Sequence, residues 1–184
     1  MNLVHLLPVG AVEPALLEQL RSEIRDCFQV RCELSTASLD PRPSYHPERQ
    51  QYHSSEILQR MQALFGPADF HVLGITSVDL YIPILQYVFG EAQLGGRFAI
   101  VSFHRLRQEF YGLERDDALL SERLGKEAIH ELGHTLGLRH CQDYRCAMAS
   151  AHAVEWVDLR ESVLCPSCRH KRGTAAPHAK RWRP

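Results

Sequence analysis

The chain has 184 residues, 45% of them hydrophobic and 23% charged, with a formal net charge of −1. That balance excludes fibrous and largely disordered chains, and the near-neutral charge argues against specific nucleic-acid binding by the domain as a whole. The length suits one domain with a small appendage, able to bury roughly 70% of its unfolded surface.

Leu3–Val9 is mostly apolar and reads as a short buried strand. The same terminus lacks a basic leader and is interrupted by His5, Pro8, Gly10 and Pro14, so it is not expected to act as a signal peptide. Residues 13–28 place Leu16, Leu17, Leu20, Ile24 and Phe28 on one helical stripe, and 30–34 alternate as a second strand. Three prolines in 40–50 argue against regular structure there. Ser54 or Ser55 is placed to cap a helix carrying Ile57, Leu58, Met61, Leu64 and Phe65, which Gly66 and Pro67 stop.

Residues 70–75 predict a third strand, and 97–103 (RFAIVSF) are the most strand-like stretch in the chain. The intervening segment 87–95 is a candidate edge strand, a hairpin or a loop. After Asp117, the residues Leu120, Leu124, Ala128, Leu132 and Leu136 mark one face of a helix that ends at Gly137. A short last helix is expected over 155–164. Strands separated by helices predict an α/β (α+β) layer with part of its sheet parallel. No apolar run approaches a membrane span. Residues 169–184 hold six Lys or Arg and no acid, leaving −7 on residues 1–168. This basic tail is expected to be disordered, a solubilising terminus first of all, with contact to anionic partners as the alternative.

Residues 130–140 read His-Glu-Leu-Gly-His-Thr-Leu-Gly-Leu-Arg-His. Positions four apart share a helix face, so His130 and His134 can direct their rings at one point, as two ligands of a tetrahedral metal require. Gly137 tolerates the positive φ that lets the chain swing back and return His140. Three histidines leave a fourth corner open for water, the mark of a catalytic rather than a structural zinc. Glu131, one helical step away, can serve as the general base. The bland alternative is a surface helix that happens to carry histidines; Gly137 and His140 at fixed offsets count against it. Iron, nickel or cobalt also suit such a donor set.

Cys141, Cys146, Cys165 and Cys168 form two pairs able to hold a closed, structural zinc. Two disulfides or inert buried thiols are the alternatives. Cys141 directly follows His140, so this second ion would fix the approach of the third histidine. Cys27 and Cys32 read as core cysteines. With no signal peptide expected, the six cysteines suit a reducing compartment, and the cytoplasm is the expected location.

Taken together, the string from His130 through His140–Cys141, then Cys146, Met148, Cys165 and Cys168, resembles the archaemetzincins, a branch of the metzincin zinc peptidases. The resemblance implies a metzincin-like twisted mixed sheet with packed helices and an active-site helix. It implies a first part over 1–137, a C-terminal subdomain over 138–168 and the tail over 169–184. It makes Met148 the Met-turn residue beneath three histidine ligands, with Gly137 as structural support and Glu131 as catalytic base. It also implies two Zn2+ per chain, one catalytic and one structural, a peptide or protein substrate, and aminopeptidase activity in some members. Tyr144, between the two ligand sets, is a candidate oxyanion stabiliser. The competing reading is a zinc-stabilised peptide- or protein-binding module with no hydrolytic activity.

Overall fold

The computed structural model describes residues 1–67 and 69–174. Its first strand, β1 (Leu3–Val9), sends Val4 and Leu6 to one side of a sheet and Leu7 and Val9 to the other. The amphipathic stripe read from the sequence forms α1 (Pro14–Phe28), with proline in its first turn and Leu17, Leu20, Ile24 and Phe28 buried. β2 (Arg31–Leu34) then pairs parallel with β1. The proline-rich loop is more ordered than expected. It holds a 3₁₀ turn at Arg42–Ser44 and the two-residue β3 (Tyr45–His46), which pairs antiparallel with β4 (Gln51–His53).

Neither serine caps α2 (Ser54–Phe65), whose N-cap position is His53. Their hydroxyls bond the Glu91 side chain instead. β5 (His71–Thr76) and β6 (Leu80–Tyr81) follow, then β7 (Gly90–Ala92) and β8 (Phe98–Ser102). The main sheet has the order β2-β1-β5-β8-β7, parallel except for β7, which runs antiparallel at the edge. Within the 87–95 stretch, Gly90–Ala92 is thus an edge strand. A smaller sheet joins β3, β4 and β6.

Strand side chains alternate between two cores, as period-two geometry requires. Leu73, Ile75, Ala99 and Val101 meet α1 and α3 (Asp117–Thr135), while Val72, Phe98 and Ile100 meet Ile57, Leu58 and Met61 of α2. Each fully buried Leu or Ile is worth about 1.5–3 kcal/mol, so these two layers fix where α3 lies. α3 begins with an Asp116 side chain accepting from the Leu119 N–H at 2.9 Å. It ends with Gly137 at φ +83°, the Gly137 N–H on the His134 carbonyl and the Leu138 N–H on the Gly133 carbonyl. This paired closure turns the chain sharply out of the helix.

The expected helix over 155–164 is only α4 (Val154–Leu159). A further helix, α5 (Pro166–Thr174), starts two residues before Cys168. It takes in 169–174, so those residues are helical rather than an unstructured tail; the rest of that expectation, 175–184, lies outside the described residues. No helix among the described residues is long and apolar enough to cross a membrane.

Candidate active site and metal centres

The last turns of α3 position two donors together. His130 Nδ1 lies 2.8 Å from the Ala147 carbonyl, and His134 Nδ1 lies 2.8 Å from the Leu138 carbonyl. A carbonyl oxygen only accepts, so each Nδ1 carries the proton and donates, leaving each Nε2 bare. Burial, with the Arg160 charge as the next cause, holds His130 well below its ordinary value, and burial lowers His134 and His140 as well. The rings are therefore neutral at pH 7. The two bare Nε2 atoms face each other at 3.0 Å. Lone pairs this close repel unless a cation lies between them, and nitrogens bound to one ion at about 2.0–2.1 Å stand roughly 3.3 Å apart. The donors fit a metal.

His140 comes back to this point through the Gly137 turn. Its ring centroid is 5.3 Å from that of His130 and 5.1 Å from that of His134, and one nitrogen from each of the three rings falls within 4.8 Å of the others. Met148 is fully buried, and the Cβ that Gly133 lacks would stand 2.2 Å from its Sδ. Glycine at 133 is what admits the methionine against α3, beside the carbonyl of Ala147 that orients His130.

Glu131 is 5% exposed and lines a cleft of about 690 Å³ with the three histidines, β7 and the 150–152 segment. Burial pushes its carboxyl well above the usual range, Glu127 and Glu91 add to this, and Arg160 opposes it. Glu127, one turn earlier, is paired with Arg160 at 2.7 Å, both side chains almost fully buried. Arg160 also donates to the Ala147 carbonyl at 3.4 Å, so it shares the acceptor that orients His130. From the other side the β7 backbone presses on the base. A Cβ at Gly90 would stand 2.6 Å from Glu131 Cγ and 2.7 Å from the Ile100 carbonyl oxygen.

The four cysteines come together as well. Cys141, Cys146, Cys165 and Cys168 place their sulfurs within 4.8 Å of one another, and all are free thiols rather than disulfides. Cys141 Sγ and Cys165 Sγ are 3.8 Å apart, the spacing of two sulfurs on a tetrahedral ion at about 2.3 Å. The backbone N–H groups of Cys165 and Met148 point at Cys146 Sγ at 3.3 and 3.5 Å. Such donors stabilise a thiolate, which is the form that binds metal. A third group, His46, His53 and Glu56, gathers around the first turn of α2, with Glu56 Oε1 3.3 Å from His46 Nε2 and 3.1 Å from His53 Nδ1. Tyr144 is not brought to the cleft; it is 59% exposed on the 142–145 loop and is absent from the lining.

The sequence profile of peptidase family M54 matches residues 45–173. The archaemetzincin of Methanocaldococcus jannaschii is 40% identical over 168 residues, 91% of each chain. That of Thermococcus kodakarensis is 36% identical over 178 residues, 93% of this chain and 95% of its own. The chain belongs to peptidase family M54, the archaemetzincins. It is a zinc metallopeptidase, and peptides or proteins are its substrates. Among solved structures, a zinc-dependent peptidase from Methanocorpusculum labreanum superposes with a TM-score of 0.81 at 30% identity, covering 92% of this chain and 99% of that one. The archaemetzincin of Archaeoglobus fulgidus, complexed with malonate, gives 0.79 at 32% identity with the same coverage. Metalloproteinase-II from Bacteroides fragilis shares the fold at a TM-score of 0.62 and 12% identity.

Within this archaemetzincin, sequence reasoning missed Gly90, Glu91, Glu127 and Arg160. Glu127 and Glu131 at i, i+4 were a visible hint that one acid on the inward face needs a counter-ion. Arg160, 33 residues further on, carried no local signal.

Proposed function

We propose that this peptidase hydrolyses its substrates with a catalytic zinc held by His130, His134 and His140, and with Glu131 as general base. The observation that carries the reading is the pair of bare Nε2 atoms facing at 3.0 Å, with His140 beside them and Glu131 in the same cleft. Zinc bound there supplies a Lewis acid that polarises the scissile carbonyl and lowers the pKa of water from 15.7 toward about 7. Glu131 takes the proton from the water as its oxygen bonds the carbonyl carbon, and hands that proton to the amine nitrogen as the C–N bond breaks. β7, with one edge unpaired in the main sheet, receives the substrate backbone by strand addition.

In the same reading, Cys141, Cys146, Cys165 and Cys168 hold a second, structural zinc, making two ions per chain. Their sulfur spacing and the N–H donors to Cys146 support it. Six free cysteines suit a reducing compartment such as the cytoplasm. Met148 and Gly137 act as support beneath and beyond the histidines. Trimming of substrate N-termini, an aminopeptidase mode, is the finer specificity.

Replacing Glu131 by Gln tests the base. Zinc content and melting temperature should match the wild type, while kcat/KM on a broad peptide library falls about 10³-fold. Equal, negligible activity in both proteins would support a binding module instead.

A further inference from the structure

The edge strand carries a second carboxylate that the hydrolytic step does not use. Glu91 is the middle residue of β7, directly after the glycine whose backbone presses on Glu131. It is half-buried and lines the cleft with Glu131 and His134. Two hydroxyls from the start of α2 orient it. Ser55 Oγ lies 2.8 and 3.0 Å from its two oxygens, and Ser54 Oγ donates to one of them. These donors are neutral. Among the described residues Glu91 belongs to no ion pair. The contrast with Glu127 is direct, since that carboxylate has Arg160.

A carboxylate aimed by neutral hydroxyls has lone pairs to spare, and without a counter-ion it is an acceptor suited to a charge-assisted hydrogen bond from a cation. It lines the same cleft as Glu131, and Gly90 beside it packs on the Glu131 side chain, so it lies within reach of a group bound beside the reacting bond. A substrate laid along β7 would bring its own backbone past this side chain. We propose that Glu91 is a specificity-determining subsite for a positively charged group of the substrate next to the scissile bond. The cation is either the α-ammonium of a peptide's first residue or a Lys or Arg side chain. The proposal rests on the peptidase reading above. If the α-ammonium is the occupant, Glu91 also explains how the cleft recognises a peptide's first residue.

The test measures binding, so that it remains readable without turnover. Zinc-loaded Glu131→Gln protein, alone and combined with Glu91→Gln, is titrated calorimetrically with three peptides. These are hexa-alanine with a free N-terminus, its N-acetyl form, and an N-acetyl form carrying one lysine. With Glu91 present, a cationic peptide should bind about tenfold more tightly than the acetylated alanine peptide, and Glu91→Gln should erase that gap. A preference for the free amine identifies the α-ammonium; a preference for the lysine peptide identifies a side chain. Ser55→Ala removes part of the hydroxyl anchor but keeps the charge, and should retain the preference. Affinities that ignore charge, a preference that survives Glu91→Gln, a Ser55→Ala loss equal to that of Glu91→Gln, or no binding at all would overturn the proposal. Hydrolysis by the wild type is followed in parallel; its absence removes the peptidase reading without touching the binding comparison.

Discussion

The two donor sets lie one peptide bond apart, at His140 and Cys141, yet they are built in opposite ways. His130 and His134 sit on a helix buried against the main sheet, and their rings are oriented by backbone carbonyls. The cysteines come from loops and from the start of α5, in a segment whose other regular pieces are the six-residue α4 and one bridge between Cys141 and Ala149. The first centre is held by apolar burial. The second lies among loops, and in the two-zinc reading its ion would hold those surroundings together.

Removing one thiolate should expose that difference most strongly. In Cys168→Ser, bound zinc should fall from two equivalents to one or fewer, and peptide hydrolysis should be lost as His140 loses its anchor. The cost is on the order of 10 kcal/mol if ion binding and loop ordering are fully coupled. Hydrogen exchange gives the sharper reading. Amides of Cys141, Cys146 and Ala147, bonded within the loops, should exchange freely, while Val72 on the sheet keeps its protection. Loss of protection in both places would show that the sheet half depends on the cysteines too.

A second change strikes the histidine side alone. An alanine at Gly90 must displace Glu131 or the Ile100 carbonyl, and a backbone oxygen in the sheet has little room to move. Both ions should remain bound while kcat/KM drops about 100-fold, the usual effect of a catalytic group misplaced by about 1 Å. Full activity in Gly90→Ala would mean that the base tolerates a different position.

The same contrast explains what could be read from the sequence. His130, Glu131 and His134 were legible because their relation is local, one helical turn, and Gly137 announced its positive φ by residue type. The order of strands and helices was legible from periodicity in the buried half. The segment after Gly137 was not. α5 has no apolar stripe, with Arg169, His170, Lys171 and Arg172 in succession, so composition marked a tail where the chain forms a helix that carries Cys168. Ser54 and Ser55 looked like caps because cap geometry is local, whereas their real partner, Glu91, is 36 to 37 residues away. Tyr144 was chosen for its place in the sequence, and the loop turned it outward.

The smallest effect separates the two regions by pH. Glu23 on α1 lies against α3, where a Cβ at Gly125 would stand 1.6 Å from its Oε2. Burial raises its carboxyl from 4.5 to about 7, with Glu122 on α3 and then Asp26 adding to the shift. Because the folded value is the higher one, the native state binds more protons than the unfolded chain between about 4.5 and 7. Its contribution to stability is thus complete below 4.5 and lost as pH rises through about 7. After discounting for the solvent that reaches a half-buried side chain, the loss is about 1 kcal/mol, or about 3 °C in melting temperature. Glu23→Gln should remove this slope, so the melting temperatures of variant and wild type should diverge from pH 5 to pH 8 with the variant ahead at the higher pH. In the two-zinc reading acid would act oppositely on the cysteine segment, since protonated thiols would release a bound ion. A variant that tracked the wild type throughout would place the α1–α3 contact of Glu23 in water.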